Sequence, residues 1–251
     1  MFRDFPSIIL VRSHLFFGGP ATRTVKSLII INLAVFVSQL VFRFLLDSSA
    51  LEGSFGLTPA RVTYEYALWL FVTYMFLHGG LGHIFFNMLT LYMFGNELVR
   101  YWGPRRFLIY YFVTGIGAGM CSWVVAMNSI SIVIGASGAI YGLLLAYGVN
   151  YPNRVVYLNF LFPIKVKWLV IIMGGIALLA SVTGSNQGVA SIAHLGGMVV
   201  GYIFLKGRDW GDRYRTFNNQ RRREQLKRQF EVYYGDVRRK VEKDNKKDSI
   251  H

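Results

Sequence analysis

The sequence predicts an all-α, polytopic membrane protein, and three observations lead there: its composition, its recurring apolar segments and the placement of its charges. The chain has 251 residues, of which 53% are hydrophobic and only 16% are charged. Its mean hydropathy is +0.38. Soluble domains carry about 25% charged residues. The composition therefore excludes disordered and fibrous proteins and argues against an ordinary soluble domain.

Apolar segments of nearly bilayer length recur along the chain. A bilayer core requires about 20 residues of helix, and the fourth and fifth segments fall short of that length. We predict six membrane helices between a segment 1–26 and a tail 207–251, so that residues 27–206 form the core. The six segments are 28–46, 82–99, 107–127, 136–149, 168–182 and 189–205.

The net charge of +14, from 27 basic and 13 acidic residues, indicates either nucleic-acid binding or charge sorted to one side of a membrane. Basic residues dominate the segment 1–26, the connections 100–106 and 154–167, and the tail. The alternate connections are acidic or uncharged. This alternation follows the positive-inside rule and predicts cytoplasmic termini. We expect a multi-pass protein of the bacterial inner membrane with membrane lipid, and no nucleic acid, as its partner.

The predicted topology brings the starts of helices two, four and six to similar depth below the outer surface. Polar residues cluster there: His78, His83 and Asn87 at helix two, Ser137 at helix four and His194 at helix six. Singly, a membrane serine or amide is typical of helix–helix contacts. Together, a hydroxyl, imidazoles and an amide at one depth indicate a nucleophile, a base and oxyanion donors.

Glycines offer a means of bringing these side chains together. Gly138 and Gly142 form a small-xxx-small pair on helix four, and Gly197 and Gly201 form another on helix six. Such pairs let helix backbones approach closely. The approach of helices four and six would place Ser137 within about 2.6–3.2 Å of the helix-six histidine. Ordinary tight packing is the alternative interpretation, and the two are compatible.

Ser137 also lies in the first turn of its helix, where free backbone N–H groups and the helix dipole favour negative charge. An oxyanion formed by attack on a carbonyl would be stabilised there, with His83 and Asn87 as further donors. Tyr141 follows one turn later on the same face. Its ring is expected either to orient His194 or to serve as a plain core aromatic.

With these residues in view, the chain resembles the rhomboid intramembrane serine proteases. The matching motifs are Gly135-Ala136-Ser137-Gly138, the Ala193-His194 pair with the glycines that follow it, and the helix-two run from His78 to Asn87. The resemblance spans about residues 27–205. The three motifs stand in the order and spacing of a six-helix rhomboid core with an embedded first loop.

The resemblance implies a role for each residue. Ser137 would be the nucleophile and His194 the general base, with no third acidic member. His83 and Asn87 would help the Ser137 N–H to hold the oxyanion, and Tyr141 would stack on the base. His78 would be structural. The connection 47–77 would be the embedded loop, where the Trp-Arg pair common in the family reads Trp69-Leu70 in this sequence.

We therefore expect a serine endopeptidase that cleaves single-pass transmembrane proteins near the outer face of the bilayer. No cofactor is expected, and the run from His78 to His83 lacks the HExxH spacing of a zinc protease. One alternative is a rhomboid-like protein that binds membrane clients without cleaving them. Another is a small transporter or channel, which would require a path through the membrane. The tail would be either an amphipathic helix on anionic lipid or a solvated charge run.

Overall fold

The computed structural model describes residues 20–46, 48–158, 162–183 and 189–207. The predictions for residues 1–19 and for the tail beyond residue 207 lie outside the described residues. The chain divides into two compact units, Met1–Ile203 and Phe204–His251. All contacts discussed below lie within the first unit.

Helices dominate the described part of the chain. In order they are α1 (Arg23–Leu46), α2 (Ala50–Phe55), α3 (Pro59–Glu65), α4 (Leu70–Thr73), a 3-10 turn (Tyr74–Phe76), α5 (Leu81–Thr90), a π-helical segment (Leu91–Gly95), α6 (Asn96–Trp102), α7 (Pro104–Val125), α8 (Ser137–Asn150) and α9 (Val166–Val182), followed by α10 (Val189–Gly207). Two short strands, β1 (Val155–Leu158) and β2 (Phe162–Lys165), separate α8 from α9.

The prediction of a helical membrane bundle is confirmed, and each of the six predicted segments coincides with helical structure, although residues 126–127 and 136 fall just outside α7 and α8. Three helices, Arg23–Leu45, Pro104–Val125 and Val189–Gly207, are long and apolar enough to cross a membrane by length and composition. The second predicted segment is one run, 81–102, in which the π-helical segment joins α5 to α6. The count of six spans stays a prediction.

The antiparallel hairpin of β1 and β2 is a difference from the all-helical expectation. Val155 pairs with Lys165 and Val156 with Ile164. β-Branched residues favour extended structure, so the pairing has a local cause. The sequence did not predict this hairpin, because its strands are short apolar runs and such runs do not distinguish strand from helix.

Helix α8 is the centre of the bundle, and most of its residues are buried. Helix α7 packs along it on one side. On another side, Tyr141 of α8 forms a buried cluster with Ala177 of α9 and Met198 of α10. Small residues at the crossings let these helices come close. The first residues of α8 are consequently surrounded by α5, α7 and α10.

The long first connection folds into α2, α3 and α4 and is fixed by polar contacts. The Arg61 guanidinium donates to the Gly53 carbonyl at 2.7 Å and to the Glu65 carboxylate at 2.8 Å. Leu70, which stands where the family pair has arginine, is fully buried. An arginine from α3 therefore donates to the loop backbone, while position 70 contributes apolar packing.

Charged residues meet at the far end of α8. The Arg154 guanidinium pairs with the Glu97 carboxylate of α6 and lies over the rings of Tyr147 and Tyr151, 5.9 and 5.7 Å from their centroids. The Tyr147 hydroxyl donates to the same carboxylate at 3.4 Å. This group of four residues joins α6, α8 and the start of the hairpin.

Candidate active site

Ser137 and His194 form a hydrogen-bonded pair. Ser137 is the first residue of α8 and His194 lies on α10. The serine hydroxyl is hydrogen-bonded to Nε2 of the imidazole, with Oγ and Nε2 separated by 2.8 Å. This distance is within the range of a working nucleophile–base pair. The backbone N–H of Ser137 belongs to the first turn of a 14-residue helix, where N–H groups lack intrahelical acceptors.

Gly135 shapes the approach to α8. Its φ of +125° is a conformation that L side chains rarely adopt. A Cβ atom at this position would lie 2.7 Å from Nε2 of His83 and 3.6 Å from the Ser137 hydroxyl. The Gly135 N–H donates to the Tyr74 carbonyl at 2.9 Å. A glycine is therefore required twice, by the backbone angle and by the imidazole that lies against it.

The first members of the two predicted glycine pairs meet each other, whereas the second members face α7. A Cβ on Gly197 would lie 2.0 Å from the Gly138 carbonyl oxygen, so α8 and α10 touch backbone to backbone. The second members do not extend this contact. Gly142 faces Thr114 of α7, and Gly201 faces the Tyr110 hydroxyl. They make room for α7 side chains, because α7 packs closely against both α8 and α10.

Tyr141 lies one turn beyond Ser137, and its ring stacks on the His194 imidazole. The two centroids are 4.3 Å apart, and the planes differ by only 1°. Parallel stacking restricts rotation of the imidazole about its own bonds. The geometry contains both expected placements of Tyr141, since the ring contacts the helix-six histidine and also belongs to the buried cluster with Ala177 and Met198.

His83 and Asn87 lie one turn apart on α5. The Gly79 N–H donates to Nδ1 of His83 at 3.2 Å, which leaves Nε2 to carry the proton in the neutral ring. The Asn87 side chain is buried, and its Nδ2 has no hydrogen-bond partner. A buried unpaired donor is costly. Two uncharged donors, one unsatisfied, therefore lie on the helix that flanks the serine.

His78 packs against His83. It is fully buried, with its ring 5.1 Å from that of His83 in an edge-on arrangement. Its backbone is bonded on both sides by Gln39 of α1, which sequence reasoning did not single out. The Gln39 amide oxygen accepts from the His78 N–H at 2.9 Å, and the amide nitrogen donates to the His78 carbonyl at 3.2 Å.

Gln39 belongs to a polar group that continues into the first connection. Its amide nitrogen also donates to Glu52 at 2.6 Å, and the same carboxylate oxygen pairs with Arg43 at 2.5 Å. Burial acts to raise the pKa of the Glu52 carboxyl, but hydrogen bonds from Gln39, the backbone and Arg43 hold that pKa below its usual value. A glutamine in an apolar helix was the available signal.

No group of three His, Cys, Asp or Glu side chains within the described ranges is placed to hold a metal ion. The chemistry available at the described site is that of a hydroxyl, imidazoles, a carboxamide and backbone N–H groups. This set can perform nucleophilic attack with proton transfer and stabilise an oxyanion.

Comparison with known proteins identifies relatives of the chain. It is 28% identical to the rhomboid protease AarA of Providencia stuartii over 77% of this chain and 75% of that protein. It is 31% and 32% identical to RHOMBOID-like proteins 2 and 1 of Arabidopsis thaliana, over 62% and 63% of this chain. The chain spans only 47% and 40% of these two plant relatives.

The model of the rhomboid domain matches residues 65–207. That range is more than half of the chain and contains Ser137, His194, His83 and Asn87. The match and the apolar helices establish an integral membrane protein, and the relatives support an intramembrane protease function. The chain belongs to the rhomboid family.

Proposed function

We propose that this protein is an intramembrane serine endopeptidase in which Ser137 is the nucleophile and His194 the general base. The observation that carries the proposal is the 2.8 Å hydrogen bond between Oγ and Nε2. The stacked Tyr141 ring supports it, because the base is kept in an orientation that faces the serine. A serine that merely joined two helices would not require an imidazole acceptor held in this way.

The reaction proceeds through an acyl-enzyme. Nε2 of His194 takes the Ser137 proton as Oγ attacks the scissile carbonyl carbon. The same proton then passes to the leaving amine as the peptide C–N bond breaks. A water molecule, deprotonated by the imidazole, attacks the acyl-enzyme and releases the new carboxylate. The imidazole returns to its neutral form and the serine regains its proton, so the cycle balances.

The developing oxyanion is bound by the Ser137 N–H, Nε2–H of His83 and Nδ2–H of Asn87. The unpaired state of the Asn87 amide supports this role, since the buried donor gains an acceptor only when the negative charge forms. Removal of one such donor typically lowers kcat by about 10²–10³-fold. Supporting roles fall to Gly135, Gly138, Gly197 and Gly201 and to His78, whose ring contacts that of His83.

The substrates that we propose are single-pass membrane proteins cleaved near the outer face of the bilayer. A helical carbonyl is hydrogen-bonded and shielded, so the substrate must unwind locally at the scissile bond. Residues 27–206 form the protease core in this proposal. The charge distribution supports cytoplasmic termini in a bacterial inner membrane, with the basic segment 207–251 as a cytoplasmic tail.

Reconstituted protein incubated with single-pass membrane substrates tests the proposal. Wild type should cleave and react with a fluorophosphonate probe, whereas Ser137→Ala should do neither. Ser38→Ala is the matched control, because that hydroxyl only bonds its own helix at the Ala34 carbonyl. It should cleave and label like wild type.

The competing function, client binding without cleavage, makes the opposite prediction. Substrate would co-purify with both wild type and Ser137→Ala, and neither would release a fragment or react with the probe. Cleavage that persists in Ser137→Ala would refute the nucleophile assignment itself.

A further inference from the structure

Gln39 is one of two fully buried amides on α1, a helix that exposes much apolar surface. It is fully buried on α1, and an unpaired amide in an apolar environment is costly. All of its polar atoms are used: the oxygen accepts from the His78 N–H, and the nitrogen donates to the His78 carbonyl and to Glu52. The Gln39 amide thus forms hydrogen bonds with both the N–H and the carbonyl of His78.

The consequence for His83 passes through a single peptide group. The His78 carbonyl, which Gln39 holds, and the Gly79 N–H belong to the same planar unit, and no described peptide bond is cis. In a trans unit the C=O and N–H point in opposite directions. Fixing the carbonyl therefore fixes the direction of the Gly79 N–H, which donates to Nδ1 of His83 at 3.2 Å.

That hydrogen bond determines which nitrogen of His83 carries the proton. A neutral imidazole has one donor and one acceptor nitrogen. With Nδ1 accepting, Nε2 is the donor, and it lies against Gly135 beside the serine. In the other tautomer, Nε2 would present a lone pair to the developing negative charge and would repel it.

Glu52 and Arg43 complete the support. The Glu52 carboxylate accepts from the Gln39 amide nitrogen at 2.6 Å and pairs with Arg43 at 2.5 Å. The Glu52 side chain is 8% exposed and the Arg43 side chain 36%. The arginine is therefore the more exposed end of this hydrogen-bonded group. A hydrogen-bonded chain of this kind strengthens each of its links.

We propose that Gln39 is a positioning residue, which sets the tautomer and orientation of His83 through the His78–Gly79 peptide. The inference rests on the proposed function, because it assigns Gln39 a role in oxyanion binding. Gln39 touches neither the substrate nor the reacting atoms. Its influence on the rate passes entirely through His83.

The test replaces Gln39 by methionine, which keeps the approximate volume and removes every hydrogen bond. We expect kcat to fall about 10- to 100-fold with little change in KM, since oxyanion stabilisation acts on the transition state. In ¹⁵N spectra of histidine-labelled protein, His83 should change from the Nε2-protonated tautomer to a mixture of both. Its signal is assigned with His83→Gln.

Asn32→Leu is the matched control. Asn32 is another fully buried amide on α1, but its nitrogen donates to the Leu28 carbonyl of its own helix. The variant should keep the wild-type kcat and His83 spectrum, whatever its effect on stability. Equal losses of kcat in Asn32→Leu and Gln39→Met would show that any buried amide of α1 has this effect, and would overturn the proposal.

Gln39→Glu is the second variant, for use if the methionine protein does not fold. A glutamate keeps an acceptor for the His78 N–H, and the one proton that it could carry would be shared with the adjacent Glu52 carboxylate, so that no donor is left for the His78 carbonyl. It should show the same tautomer change and a fall in kcat. A wild-type His83 spectrum in a folded Gln39 variant would overturn the inference. If Ser137→Ala still cleaves, the proposed function itself fails, and that result is independent of the Gln39 variants.

Discussion

The two ends of α8 use polar side chains in opposite ways. At its first residue, Ser137 is hydrogen-bonded to the His194 imidazole, and the nitrogen of the Asn87 carboxamide on α5 is left unpaired. At its last turn, the partners of Tyr147 are the ion pair of Glu97 and Arg154, with the guanidinium over two aromatic rings. One end contains an unmet hydrogen-bond donor, and the other pairs opposite charges.

Under the proposed function, the difference follows from the separate tasks of the two ends. A site that binds a transient oxyanion requires donors without a permanent acceptor, and it accepts a cost in stability for them. A site that fixes helix ends gains from interactions that are complete in the resting state. We therefore expect substitutions at the first end to act chiefly on the rate and those at the second end to act chiefly on stability.

The largest effect is expected from Gly197→Ala. The added Cβ would lie 2.0 Å from the Gly138 carbonyl oxygen, so α10 must move away from α8 and the Ser137–His194 hydrogen bond must lengthen. We expect a fall in kcat/KM of about 10³-fold or more, because proton transfer depends on that distance. Cleavage kinetics measure it. Gly175→Ala on α9 is the control, since its Cβ would meet no atom within 4 Å.

Asn87→Ala should have the next largest effect, a fall in kcat of about 10²-fold with KM nearly unchanged. Its stability should stay the same or rise, because the variant removes a buried donor that has no partner in the resting protein. Asn150→Ala, which removes an amide bonded only to the Ala146 carbonyl of α8, should keep full activity. Strong destabilisation of Asn87→Ala would contradict the expectation that substitutions at the Ser137 end of α8 act chiefly on the rate.

Acidification should expose the contribution of Glu52. Its pKa is held below the usual value, so its stabilising effect is complete above the unfolded-state pKa of about 4.3. That effect is lost as the pH falls through the lower folded-state pKa. At pH 7 we expect Glu52→Gln to lower the free energy of unfolding by about 2 kcal/mol.

Thermal unfolding from pH 7 to pH 3 measures the Glu52 effect. Wild type and Glu52→Gln should converge at the acid end, because the protonated glutamate and the glutamine are then both neutral. Glu65→Gln, in an ion pair that is more than half exposed at the carboxylate, should follow wild type throughout. A constant gap between wild type and Glu52→Gln would rule out titration of this group as the cause.

Glu97→Gln should have the smallest effect, a loss of about 1 kcal/mol in the free energy of unfolding, because the Arg154 side chain is 48% exposed and the pair is screened by water. The cleavage rate at a temperature well below unfolding should stay at the wild-type value. Both are measured on the same reconstituted protein. A rate that falls in Glu97→Gln without loss of stability would break the division between the two ends.

Sequence reasoning reached the residues whose chemistry is rare in membranes. Ser137 and His194 were expected to approach because glycines flank both, and two such flanking residues, Gly138 and Gly197, do meet. The nearest neighbours of Gly142 and Gly201 are not on each other's helices. A small-xxx-small pattern indicates that another helix is close, but it does not indicate which helix. Here the neighbour is α7.

What the sequence did not indicate depends on contacts between distant segments. Gln39 is 39 residues from His78, and no periodicity joins them. The π-helical segment Leu91–Gly95 has no sequence signature of its own. The hairpin of β1 and β2 lies between two apolar segments, and its basic residues give it the pattern of a charged connection. In each case the deciding term is tertiary packing, which local propensity does not contain.

The backbone contact between Gly138 and Gly197 also bears on how this protein could be inhibited. Because the two helices touch through main-chain atoms, the separation of the α8 and α10 backbones at Ser137 and His194 does not depend on the rotamer of any packed side chain. The reactive group of a covalent inhibitor would therefore meet the serine and the imidazole on two helices whose spacing is fixed. Selectivity among relatives would have to be sought on the α5 side of the serine, where side chains rather than backbone line the approach.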